Sequence, residues 1–72
     1  MSLCTVEHGQ WIVCIREHQG TRMIDRSSVR IRVGSKWKVD AVERDRLLLD
    51  SDMLPGITVS IPTSALENFQ PL

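Results

Sequence analysis

Residues 28 to 41, SVRIRVGSKWKVDA, alternate between two kinds of side chain, and their reading decides the fold. Val29, Ile31 and Val33 alternate with Arg30 and Arg32. Beyond Gly34-Ser35 the same parity resumes as Trp37, Val39 and Ala41 against Lys36, Lys38 and Asp40. Successive side chains of a β-strand point to opposite faces, so a period of two predicts strands with one apolar and one charged face. The pattern continues downstream. Glu43-Arg44-Asp45-Arg46 reads as a polar hairpin turn, and Leu47-Leu48-Leu49 as a short strand that stops at Asp50-Ser51-Asp52. Leu54-Pro55-Gly56 suits a type II turn, Pro presetting φ and Gly accepting a positive one. Ile57, Val59 and Ile61 then alternate with Thr58 and Ser60 as a half-buried strand. Pro62 lacks the N–H that would extend its ladder, and Thr63-Ser64-Ala65-Leu66 is long enough for one helical turn before Glu67-Asn68-Phe69. Upstream, Gln10 to Ile15 is apolar on both parities, as in a strand covered on both faces, while Gly20 to Ser28 reads as a polar loop containing Met23 and Ile24.

Five or six short strands in 72 residues leave room for no helix longer than about a turn, so one small antiparallel barrel over residues 1–72 is the expected domain. Closing the sheet would remove most of its exposed edges. A chain this short buries only about 60% of its unfolded surface, so the core must be compact. Parity assigns it to Val13, Ile31, Val33, Trp37, Val39, Leu47, Leu49, Val59 and Ile61. An apolar content of 42% with 25% charge excludes disorder. No apolar run approaches the roughly 18 residues of a membrane span, and the basic-then-apolar pattern of a secretory leader is absent, so a cytoplasmic protein without membrane contact is expected. Met1-Ser2-Leu3 could derive from an expression vector.

From Val33 onward the order of signals resembles the bacterial Src-homology-3-like barrels. The matching text is Gly34-Ser35-Lys36-Trp37-Lys38-Val39, the Arg44-Asp45 hairpin, Leu47-Leu48-Leu49, and Ile61-Pro62-Thr63-Ser64-Ala65-Leu66-Glu67. It covers about residues 33–69. The resemblance implies a first strand at Gln10 to Arg16, a long Glu17 to Ser28 loop bordering a binding groove, and a last short strand after the helical turn. The proline-binding members have a Trp opening the third strand and a Tyr in the helical turn. Here those positions hold Arg46 or Leu47, and Ala65; only Pro62 carries over. With no Tyr and one Phe, the aromatic ridges that grip a polyproline helix are missing. The plasmid-borne dihydrofolate reductases that use a similar barrel have a Tyr where this chain has Pro62, so their activity is not implied.

The net charge is zero, yet its distribution is lopsided. Residues 16 to 38 carry Arg16, Arg22, Arg26, Arg30, Arg32, Lys36 and Lys38 against only Glu17 and Asp25, and residues 40 to 67 reverse the sign. Alternation places Arg30, Arg32, Lys36 and Lys38 on one face, with Arg16, Arg22 and Arg26 on the strand and loop beside it. Such a face suits an acidic protein partner; a nucleic acid is the alternative, disfavoured by the zero net charge. A solvated face that guards an edge is the bland reading. Trp37 shares the core parity, whereas Trp11, opening the first strand, is placed to anchor an interface or stack on a base.

The phrase Cys-x-x-Glu-His occurs twice, at Cys4 to His8 and Cys14 to His18, and these are the chain's only Cys and His. Two Cys and two His form a complete zinc ligand set. Residues four apart on a strand are separated by about 13 Å, so Cys14 and His18 share a metal or a hydrogen bond only where the chain bends. A three-residue turn at His8-Gly9-Gln10 would instead set Cys4 opposite Cys14 on a hairpin, for half a metal site or a disulfide. The expectation is a buried thiol with exposed or capping histidines, no metal and no cofactor. No phosphate loop, nucleophile elbow or paired-carboxylate motif appears, and so small a barrel has no interior cavity, so no enzyme activity is expected. A catalytic centre would have to form between subunits of a homo-oligomer.

Overall fold

The computed structural model describes residues 5–52 and 56–72. Cys4, the Met1-Ser2-Leu3 leader and the Leu54-Pro55 half of the expected type II turn lie outside the described residues. Strands run β1 (Trp11–Cys14), β2 (His18–Arg22), β3 (Ser28–Ile31), β4 (Lys36–Val42), β5 (Arg46–Ser51) and β6 (Thr58–Pro62). A 3-10 turn (Thr63–Asn68) and β7 (Phe69–Pro71) follow. All pairings are antiparallel, in the order β3-β2-β6-β5-β4-β1-β7, and the sheet curls into a half-barrel. Among the described residues β3 and β7 remain its edges, where closure was expected. None of the described helices is long and apolar enough to cross a membrane.

The alternation places residues as read over most of its length. Ile31, Trp37, Val39, Leu47, Leu49, Val59 and Ile61 are all buried. In register, Val39, Leu49 and Val59 form one inward row across β4, β5 and β6, and Leu47 faces Ile61 in another. A register shift between Val39 and Ala41 leaves Asp40 as a bulge, beyond which the pairing resumes as Ala41 with Leu48 and Val42 with Leu47. Pro62 closes β6, and Ala65 and Leu66 of the 3-10 turn cover the core beside Phe69.

Two core assignments are corrected. Val33 is 63% exposed, because β3 ends at Ile31 and Val33 sits in the Arg32–Ser35 turn. Ser35 N–H donates to the Arg32 carbonyl (3.1 Å), and Gly34 takes φ +89°, as the third residue of a type II turn must. Trp37 Nε1 donates to Ser35 Oγ (2.9 Å), and that hydroxyl donates to the Arg32 carbonyl (2.5 Å), which ties the turn to a buried indole. Val13 is the second correction: Ile12 and Cys14 are the buried pair of β1, and Val13 is only half-buried. In register Ile12 lies opposite the buried Trp37, and Cys14 opposite the buried Phe69.

The strand count is seven rather than five or six, because residues 17–28 are no long loop. β2 and β3 form a hairpin there, and β2 also pairs with β6. The inward residue of β2 is Gly20, which leaves no apolar mark in the alternation. A Cβ at Gly20 would lie 2.5 Å from Val59 Cγ1, 3.1 Å from Ile31 Cδ1 and 3.2 Å from Ile61 Cγ2. The space a side chain would need is already filled by the core, and glycine alone lets β2 lie on it.

Candidate functional site

The β2–β3 hairpin turns at Arg22 to Ser27, and its conformation is set locally. Asp25 Oδ1 accepts hydrogen bonds from the Ser27 N–H (3.0 Å) and hydroxyl (2.7 Å), an Asx arrangement that steers the backbone back. The same two bonds, the hydroxyl first, hold the Asp25 carboxyl below its ordinary range, with Arg22 assisting. Arg26 N–H donates to the Arg22 carbonyl (2.8 Å), and Arg26 itself adopts φ 60°. A non-glycine residue in the left-handed region costs on the order of 1 kcal/mol or more, and such residues cluster at binding sites.

This turn overhangs the outer face of β5 and β6. Thr21 pairs with Ser60, and Ser60 with Leu48, so these share a face with Arg46 two residues before Leu48. The result is an open depression of about 460 Å³ lined by Thr21, Arg22, Met23, Arg26, Arg46 and Ser60. Three arginines and two hydroxyl-bearing residues thus line one concavity. Arg22 is ion-paired to Asp25 (3.9 Å) and Arg46 to Glu43 (2.5 Å), but neither carboxylate lines the depression. The Glu43 bond pushes the Arg46 pKa further up, so its charge is permanent. Arg22 Nε is buried and has no hydrogen-bond partner among the described residues. Arg26 has no ion-pair partner among them.

Of the residues expected to bind, only Arg22 and Arg26 come together here. Arg16 is exposed in the bend between β1 and β2. Arg30, on edge strand β3, makes a long ion pair with Glu17 (4.0 Å), and Arg32 is exposed in the turn that follows. Lys36 and Lys38 are exposed on β4, with β5, β6 and β2 between them and β3. The Arg30–Lys38 stripe thus faces outward throughout but is divided by the crossover. Trp11, 40% exposed, lies opposite Lys38, whose other neighbour is Asp50. Arg46, Thr21 and Ser60 escaped the sequence reading. Arg46 sat in an acidic hairpin, and its approach to Arg22 depends on β2 pairing with β6, which no local pattern announces.

Of the two Cys-x-x-Glu-His phrases, the second is described in full. The hairpin that would set Cys4 opposite Cys14 involves Cys4, which lies outside the described residues; β1 itself is flanked by β4 and β7. Between Cys14 and His18 the chain bends rather than continuing as a strand, bringing Cys14 Sγ to 3.9 Å from His18 Nδ1. Both groups also reach the Arg16 carbonyl, Sγ at 3.0 Å and Nδ1 at 2.9 Å. A carbonyl only accepts, so Nδ1 carries a proton and is no base for the thiol. Burial pushes the Cys14 thiol pKa up, opposite to what a nucleophile needs. The imidazole packs edge-on against Phe69, ring centres 5.2 Å apart. No group of three or more His, Cys, Asp or Glu suited to a metal occurs among the described residues. No protein-family model matches this chain, and neither a curated protein nor a solved structure matches it.

Proposed function

We propose that this protein is a small non-enzymatic binding module, a Src-homology-3-like half-barrel that contacts a protein partner through the β2–β3 hairpin and the basic surface around it. The fold part of the reading is supported by Ile61-Pro62 leading into the 3-10 turn and then β7. The binding part rests on one observation, the concavity that Arg22, Arg26 and Arg46 line beside the hairpin turn. Arginine forks in a recess favour carboxylates and other oxyanions, and they steer an acidic partner toward the hairpin. Ile24, 86% exposed at the hairpin tip, adds an apolar contact beside the charged ones. The free thiol of Cys14 suits a reducing, cytoplasmic setting.

Affinity capture from nuclease-treated host lysate tests the reading. The wild-type chain should retain a protein that the Arg22→Glu/Arg26→Glu variant loses. Equal retention by both, or loss of the partner on nuclease treatment, would overturn it. A nucleic-acid reading draws on Trp11 beside Lys38, an aromatic flanked by a cation. Gel shifts with random DNA and RNA at about 50 and 200 mM salt decide between the two, since phosphate contacts weaken steeply with salt. No shift is expected. A robust, salt-sensitive shift abolished by Arg30→Glu/Arg32→Glu would reverse the ranking.

A further inference from the structure

We infer that the arginine-lined depression is a receptor for a phosphate monoester carried on a peptide segment, an assignment that rests on the binding-module reading and specifies its ligand. Donor supply favours a phosphate over a carboxylate. Arg22, Arg26 and Arg46 line one recess together with the hydroxyl-bearing Thr21 and Ser60. A carboxylate has two oxygens in one plane and a single charge. A phosphomonoester presents three terminal oxygens in a tetrahedron and close to two negative charges, so it engages donors arriving from several directions.

The donors come from three separate elements: Arg22 ends β2, Arg26 lies in the hairpin turn, and Arg46 opens β5. Arg22 and Arg46 are each paired with an acid that does not line the recess, Asp25 and Glu43, and a guanidinium has five N–H donors, more than one such pair uses. Arg22 Nε is buried and lacks an acceptor among the described residues, so the guanidinium has hydrogen-bonding capacity that the protein itself leaves unused. Arg26 sits at φ 60° inside the Asx turn, a left-handed conformation that glycine would adopt without strain. Met23 supplies the one apolar wall, fitting the carbon stem of a modified side chain. The recess is open, so a side chain presented by an extended peptide reaches it.

The test uses the full chain, labelled with ¹⁵N, and four capped tripeptide or dinucleotide probes: Ala-phosphoserine-Ala, Ala-Glu-Ala, Ala-Ser-Ala and a thymidine dinucleotide. Saturable amide shifts confined to residues 21–27, 46 and 60 are expected with the phosphoserine probe. Binding of the Glu probe should be at least about tenfold weaker, and the Ser probe should be silent. Arg46→Gln and Arg26→Gly should each weaken phosphoserine binding by about tenfold, the loss expected for one charge-assisted hydrogen-bonding group. Arg44→Gln removes the same charge from the neighbouring turn, outside the recess, and should change nothing. Arg26→Gly relieves the left-handed strain, so its effect on binding is not a folding failure, and its thermal melt should be equal or higher. Equal binding of the Glu probe, equal binding of the dinucleotide, or wild-type affinity in both variants would each overturn the assignment. Partner capture that persists while the phosphoserine probe gives no shift would sink the phosphate receptor alone. The reverse result would sink the adaptor reading and leave the receptor standing.

Discussion

Cys14 Sγ and His18 Nδ1 lie 3.9 Å apart because both are drawn to the same acceptor, the Arg16 carbonyl. The pair resembles a nucleophile and its base by distance alone. By hydrogen-bond direction it is a structural clasp across the β1–β2 bend, since two donors on one carbonyl leave neither to activate the other.

Cys14 should therefore be inert while the chain is folded. In a Cys4→Ser background, a thiol reagent at pH 8 should modify it at the rate of global unfolding, and at once in denaturant; fast modification of that native variant would contradict the clasp. Its raised pKa also gives a sign. The unfolded thiol loses its proton first, so the contribution is complete below the ordinary value of 9.0 and is lost as pH rises through the higher folded value. Cys14→Ser should flatten the decline of stability on the alkaline side.

Gly20 is a packing requirement rather than a flexible joint. Gly20→Ala would push a methyl to 2.5 Å from Val59 Cγ1, and β2 cannot withdraw without loosening its pairing to both β3 and β6. Overpacking of this kind costs about 1–3 kcal/mol. Chemical denaturation should show the midpoint fall; an unchanged midpoint would mean that β2 does not rest on the core.

Ile61 and Val33 separate the true interior from the apparent one. Ile61 is fully buried opposite Leu47, so Ile61→Ala should cost about 2–5 kcal/mol, a large share of the roughly 5–15 kcal/mol that holds such a domain together. Val33→Ala, in an exposed turn, should stay within about 0.5 kcal/mol. Comparable losses at both sites would mean that the β3–β4 crossover is packed inside.

Asp25 should shape the acid limb of the stability curve. Ser27 holds its carboxyl below the ordinary value of 3.8, so its contribution is present above that value and is lost as pH falls through the depressed one. Asp25→Asn keeps an acceptor for the Ser27 N–H but cannot titrate. Thermal melts from pH 6 to pH 2 should show the wild-type advantage shrinking below that value, whereas parallel curves would remove Asp25 from the account.

What the sequence by itself determined is the part of the fold written in local period. From Ser28 to Ile61 the alternation assigned inward residues correctly on β3, β4, β5 and β6, and Pro62 marked the passage into the 3-10 turn. A pleated strand exposes that period whatever it pairs with. Where both parities are apolar, as from Trp11 to Ile15, the side turned inward depends on the neighbours, and only the β1 register against Trp37 and Phe69 chose Ile12 and Cys14 over Val13. β2 was illegible because its buried residue has no side chain at all. The candidate site was half visible for the same kind of reason. Arg22 and Arg26 stand four apart in a basic stretch, but Arg46 joins them from an acidic hairpin through the pairing of β2 with β6. That contact is nonlocal, and its energy lies in the backbone ladder and in the core beneath Gly20, so tertiary structure alone decided it.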